Sequence, residues 1–142
     1  MSKYTEQADK FLADTGTAFT IQYLRTGPYF HDDENSRDVY RFTLSNARGS
    51  YSAQFGDSLQ ATQNRANAVP SYAVPTAYDV LAGMGQYTEP LFSDWCAEYG
   101  YDGAPMGDYP KIRAIHDACL AESAALARMF TPGQLEQLGE IR

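Results

Sequence analysis

Between Thr17 and Phe55 the chain alternates apolar and polar residues three times over, and from Thr76 onward its apolar repeat becomes helical. A period of two puts every second side chain on one sheet face, and a period near 3.6 makes a stripe along a helix. Strands followed by helices, with no regular interleaving, imply an α+β architecture rather than a parallel α/β one.

The first alternation sets Phe19, Ile21 and Tyr23 against Thr20 and Gln22, and Gly27-Pro28 ends it. The second sets Tyr40, Phe42 and Leu44 against Arg41 and Thr43. The third sets Tyr51, Ala53 and Phe55 against Ser50, Ser52 and Gln54. Asn46-Ala47-Arg48-Gly49 has hairpin length, and its Gly supplies positive φ. An antiparallel meander of about three strands with one wet face is expected. A short helix over Thr5 to Asp14, stopped by Gly16, precedes it.

About four helices are expected in the second half. Thr76 with Asp79 fits a capping box ahead of Tyr78, Val80, Leu81 and Met84, and Gly83 and Gly85 shorten that helix. Thr88 can cap the next one, with Pro90 in its first turn and Leu91, Phe92, Trp95 and Tyr99 as its stripe, ended by Gly100. Asp108 can cap a longer helix with Pro110 near its start, where Ile112, Ile115, Cys119, Leu126 and Phe130 share one side. Thr131-Pro132 opens the last, carrying Leu135, Leu138 and Ile141. A single domain over 1–142 is expected, with a helix and sheet over 1–56, a loop over 57–75 and a helical part over 76–142. The helical bundle should cover the apolar face of the meander. The loop region is rich in Gln, Asn, Ala and Ser, with a helical turn around Leu59 to Arg65.

Charge narrows the partners. The formal net charge is -7. Residues 1–75 hold eight acids and seven bases, whereas residues 76–142 hold ten acids and four bases. That argues against direct nucleic-acid binding, which needs a basic face, and against an anionic membrane surface. No apolar run approaches the ~18 residues of a membrane helix. The opening MSKYTEQADK lacks a basic and apolar signal segment. Cys96 and Cys119 are too few for a disulfide framework, and both fall on apolar helix faces as buried packing groups. A reduced cytoplasmic setting, that of a host cell, is expected.

Catalytic signatures fail one by one. His31 precedes Asp32, Asp33 and Glu34, but HDDEN has neither the Gly nor the alternating ligands of a calcium loop and reads as a solvated loop. His116 lies inside a helix and is expected to be partly exposed. There is no HExxH, CxxC or G-x-S-x-G, and Gly83-Met84-Gly85 follows a helix pattern rather than a strand. Asp94 and Glu98 on one helix turn would face solvent together, with nothing to raise one pKa for acid–base work. No cofactor or metal is expected, nor an enzyme.

One stretch stands apart. Leu91 to Tyr109 packs four carboxylates among aromatic rings and contains no Lys or Arg. Rings give contact area at low entropy cost, and carboxylates attract cations. Asp94, Glu98, Tyr99, Tyr101, Asp102, Asp108 and Tyr109 are therefore the candidate partner-binding residues, expected to gather into one docking patch.

The pattern also resembles a family of short, largely uncharacterised proteins carried by phages, prophages and conjugative elements. The matching features are Thr15-Gly16-Thr17-x-Phe19, Arg37-Asp38-Val39-Tyr40, Ser50-Tyr51-Ser52 and Phe55-Gly56. They continue through Pro75-Thr76-Ala77-Tyr78-Asp79-Val80-Leu81, Phe92-x-x-Trp95-Cys96, Tyr99-Gly100-Tyr101-Asp102 and the Leu135, Leu138, Ile141 tail. Similar proteins have a longer, more basic middle where this chain has an Ala-, Asn- and Gln-rich stretch over 60–74. The resemblance implies a mobile-element setting and transfers no catalytic residue. Small acidic proteins in that setting often resemble anti-CRISPR or anti-restriction inhibitors, which occupy the basic nucleic-acid channel of a host defence complex. The physics agrees, because a cleft built for DNA, with one charge per ~1.7 Å of axis, is strongly cationic. On that basis the chain is expected to act as a monomer or homodimer that binds a host defence protein complex. The alternatives are a small enzyme acting on a nucleotide or protein through His31, Asp32, Asp33 or Cys96, and a phage accessory or regulatory subunit.

Overall fold

The computed structural model describes residues 3–27, 37–54, 74–82, 84 and 88–141. The acidic loop at His31 to Asn35 and nearly all of the 57–75 loop lie outside these residues. In chain order come α1 (Lys3–Thr15), β1 (Ala18–Gly27), β2 (Arg37–Asn46), β3 (Gly49–Gln54), α2 (Ala77–Leu81) and α3 (Phe92–Tyr99). A 3₁₀ turn (Met106–Asp108), α4 (Tyr109–Met129) and α5 (Pro132–Gly139) complete the chain. The expected α+β mix is present: a three-stranded antiparallel sheet in the order β1-β2-β3, with helices packed on its apolar face.

The alternating residues fix the register. Phe19 pairs with Leu44, Ile21 with Phe42, and Leu44 in turn with Tyr51. Phe42 and Leu44 are fully buried, while Thr43 and Ser52 join hydroxyls 2.7 Å apart on the other face. Tyr23 keeps the expected face, against the ring of Tyr40. A bulge between Tyr23 and Arg25 leaves Leu24 as the extra residue, so Tyr23 pairs with Tyr40 but Arg25 with Val39. A bulge inverts the inside–outside phase of the strand beyond it. Leu24 therefore packs on the core, while the Tyr23 ring stands 53% exposed at the edge of Tyr40.

Local signals end the elements where chemistry demands. Gly16 and Gly100 adopt left-handed φ values of 61° and 80° just past α1 and α3. In each case the next amide bonds a carbonyl five residues back, Thr17 to Leu12 and Tyr101 to Cys96. Thr76 and Thr131 cap α2 and α5 in reciprocal boxes with Asp79 and Gln134. Each box stabilises its helix by roughly 1 kcal/mol.

Two expected caps are not made. Thr88 does not start a helix. Its hydroxyl accepts from Ser123, and the Glu89 carbonyl accepts from His116 Nε2 at 2.8 Å, so this segment is fastened to α4 and α3 begins only at Phe92. Leu91, at the cap position, is 61% exposed rather than part of the apolar stripe. Asp108 makes no side-chain cap, because the 3₁₀ turn runs straight into α4 with Asp108 already helical.

The long helix α4 serves two apolar clusters. Its second half gives Leu126 and Met129, joined by Phe130, to the core between sheet, α1, α2 and α5. Its first half gives Ile112, Ile115 and Cys119 to a smaller cluster around Trp95 and Cys96 of α3. Ala53 of β3 packs against both clusters. Burying a Leu, Ile or Phe is worth about 1.5–3 kcal/mol, so these contacts are what hold α3 and α4 to the sheet. Among the described residues no helix is long and apolar enough to cross a membrane.

Candidate docking surface

Trp95 is the centre of the candidate site. On α3 the buried positions are Trp95 and Cys96, which turn Asp94 and Glu98 outward on the opposite side. Two like charges four residues apart on a helix are mildly destabilising, by roughly 0.2–0.5 kcal/mol. Gly100 then reverses the chain and brings Tyr101 back over the indole, the rings stacked at 5.2 Å. Tyr99 meets the same indole at 5.3 Å, His116 at 5.0 Å and Phe92 at 6.4 Å. Tyr109, at the start of α4, meets Phe92 at 6.2 Å, and its hydroxyl donates to the Asp102 carbonyl at 3.4 Å. That bond closes the loop between α3 and α4.

The seven sequence-predicted residues thus lie on one module made of α3, the following loop and the start of α4. The rings build its interior and the carboxylates its exterior. Asp94, Glu98, Asp102 and Asp108 are exposed, Tyr99 is 38% exposed, and Tyr101 and Tyr109 are half-buried. The remaining acids of the second half are used elsewhere. Asp79 caps α2, Glu89 accepts from the Leu91 amide at 3.5 Å, Glu122 is buried, Asp117 is exposed further along α4, and Glu136 and Glu140 lie on or beside α5.

The local field follows from this burial. Desolvation raises the pKa of the Tyr101 and Tyr99 hydroxyls, with Glu98 adding to the effect on Tyr99. It raises the Cys96 thiol as well, with the Asp102 charge pushing the same way and Arg113 opposing both. Cys96 is therefore held as a neutral thiol, the opposite of an activated nucleophile. His116 spends its Nε2 proton on the Glu89 carbonyl. Among the described residues no group of three or more His, Cys, Asp and Glu could hold a metal ion.

Two members of the module escaped the sequence. His116 is 3% exposed, not partly exposed as expected. The signal was there: Ile112, Ile115, His116 and Cys119 keep the i, i+3, i+4, i+7 spacing of an apolar stripe. Arg113 lays its guanidinium 4.2 Å from the centre of the Phe92 ring, placing a cation beside a stretch that carries none of its own. Nothing in the spacing marks that contact, which depends on how α3 crosses α4.

Compared with protein-family models, with curated proteins and with solved structures, the chain matches none.

Proposed function

We propose that this protein is a non-catalytic binding protein that docks a basic surface of a partner protein through Asp94, Glu98, Asp102 and Asp108. The supporting observation is their common support: all four are exposed on a module whose interior is one aromatic cluster around Trp95. Carboxylates on a rigid, packed frame lose little entropy on meeting a cation, and their summed field speeds encounter. The buried, neutral state of Cys96 weighs against thiol chemistry at the same place. By the resemblance in sequence, the partner is the nucleic-acid channel of a host defence nuclease or CRISPR effector, and binding blocks its substrate.

Cleavage assays with purified restriction nucleases and CRISPR effectors test this. The wild-type protein should inhibit at least one of them at physiological salt. The variant carrying Asp94→Lys, Glu98→Lys and Asp102→Lys should lose inhibition while keeping its helical signal and its Trp95 fluorescence. Inhibition by the folded triple variant at the wild-type level would refute the acidic docking face. Absence of inhibition by the wild type across the panel would refute the defence target.

A further inference from the structure

The two edges of the sheet are guarded differently. β3 is six residues long and the helix α4 runs against it, with Ala53 packed into both apolar clusters. β1 is ten residues long, and no helix lies along it as α4 lies along β3. Among the described residues no strand pairs with the side of β1 that faces away from β2. Such an edge presents a row of backbone N–H and C=O groups to any strand that can reach it.

Open edges are normally blunted by charge, by Pro or by a bulge. On β1 the bulge comes only after Tyr23, and the first charge only at Arg25. The segment from Ala18 to Tyr23 contains no charged residue, Pro or Gly. It alternates strictly and is rich in aromatic and β-branched residues, the composition of a strand prone to pair with its own kind. Burial points the same way. Leu44 and Phe42 in the central strand are fully buried, whereas their β1 partners Phe19 and Ile21 are only half-buried and Tyr23 is exposed. A further strand beside β1 would complete these apolar rows.

We infer that the chain forms a homodimer by antiparallel pairing of β1 with β1 of a second copy. Residues opposite each other on antiparallel strands share a face. With a two-fold axis at Ile21, Phe19 of each copy faces Tyr23 of the other, Thr20 faces Gln22, and Ile21 faces its own counterpart. The exposed Tyr23 ring gains an aromatic neighbour, no charge is buried, and two three-stranded sheets join into one of six strands. A pairing segment about 20 Å long makes a small interface, under about 1,200 Å², so the dimer is weak and reversible. None of the carboxylates of the acidic module takes part, and the inference does not depend on that module's role.

Sedimentation velocity of the full-length protein from about 10 µM to about 1 mM spans the affinities of small interfaces. The sedimentation coefficient should rise with concentration toward that of a dimer, and backbone amide NMR shifts over the same series should centre on Ala18 to Tyr23. Added salt should strengthen the association, because each copy has a net charge of -7 while the pairing segment has none. Thr20 and Gln22 are exposed, so Thr20→Lys with Gln22→Lys should keep the fold. It sets like charges opposite each other and should weaken the dimer about tenfold. Thr20→Glu with Gln22→Glu should do the same alone, and mixing the two double variants should restore a dimer with one copy of each. A wild type that stays monomeric across the range would overturn the proposal. Shifts centred away from β1, dimerisation undiminished in the Lys variant, or folded variants that fail to pair when mixed would overturn it equally. A monomeric wild type whose Ala18 to Tyr23 amides shift with a blocked Thr-Val-Thr-Val-Thr peptide would assign the edge to a foreign strand instead.

Discussion

The indole of Trp95 and the ring of Tyr101 lie nearly parallel, 18° apart with centroids 5.2 Å apart, across the reversal made by Gly100. Trp95 is fully buried and Tyr101 half-buried, so the stack is both core and loop anchor. Trp95→Ala should cost about 3–5 kcal/mol, the usual range for emptying a large aromatic site. The two residues should also be coupled by about 0.5–1.5 kcal/mol beyond their separate burial. Urea denaturation of the two single variants and of the double variant measures this by circular dichroism. The chain has a single Trp, so indole fluorescence reports the module alone in Tyr101→Ala. Additive losses would show that the rings merely share a neighbourhood.

Stability should decline at alkaline pH, and the decline should begin in this module. Burial first, then the Asp102 charge, lifts Cys96 above the usual thiol value of 9.0, and burial lifts Tyr101 above the usual 10.0. A raised folded-state pKa means that the folded state holds its proton after the unfolded state has released it. The resulting stabilisation is complete below the unfolded values and disappears as pH rises through the folded ones. Stability should therefore be flat up to about pH 9 and fall beyond it. Tyr101→Phe combined with Cys96→Ala should flatten that fall. Parallel slopes for wild type and double variant, in urea midpoints between pH 8 and 11, would assign the loss to other groups.

Asn46 knots three parts of the fold together, and its variants should be costly. Its Nδ2 donates to Thr17 Oγ1 and to the Met129 carbonyl, both at 3.2 Å, while its Oδ1 accepts from the Arg48 amide at 2.9 Å. The hairpin turn, the α1–β1 junction and the end of α4 thus meet on one amide. At roughly 0.5–1.5 kcal/mol per bond, Asn46→Ala should lose about 2–4 kcal/mol. Asn46→Asp keeps the acceptor for Arg48 but puts a carboxylate against the Met129 carbonyl, and should be no better. A midpoint shift in urea matching less than about 1 kcal/mol would mean that water replaces these bonds at no loss.

Legibility in the sequence divides along physical lines. The meander, the Gly16 and Gly100 stops, the Thr76–Asp79 capping box and the helix start at Thr131-Pro132 were readable because each depends on residues a few positions apart. The bulge that turns Leu24 onto the core was not legible, because it leaves no mark in an alternating string. Thr88 was misread as a cap because its partner, Ser123, is 35 residues away. In the candidate site the carboxylates were legible as exposed, since Trp95 dictates which side of α3 is buried. The inward turn of the rings was not, because it needs the α3–α4 crossing that also sets His116 on the Glu89 carbonyl. Asn46 looked like an ordinary turn residue, and only the tertiary fold brings Met129 to it.

Arg113 should act as a built-in brake on the docking face. Its guanidinium lies over Phe92, next in the chain to Ser93 and Asp94, and its charge reaches Cys96 against the opposing pull of Asp102. It therefore subtracts from the field that would draw a basic partner to Asp94, Glu98 and Asp102. Arg113 is exposed, so Arg113→Gln should cost only about 0.5–1 kcal/mol, the loss of one surface cation–π contact. The same variant should associate faster with a cationic probe such as an octa-arginine peptide, and the rate should fall more steeply with added salt. Stopped-flow mixing at several salt concentrations, read by Trp95 fluorescence, gives both quantities. Adding Asp94→Asn to Arg113→Gln should return the rate toward wild type. An unchanged rate and salt slope in Arg113→Gln would place the encounter surface away from α3.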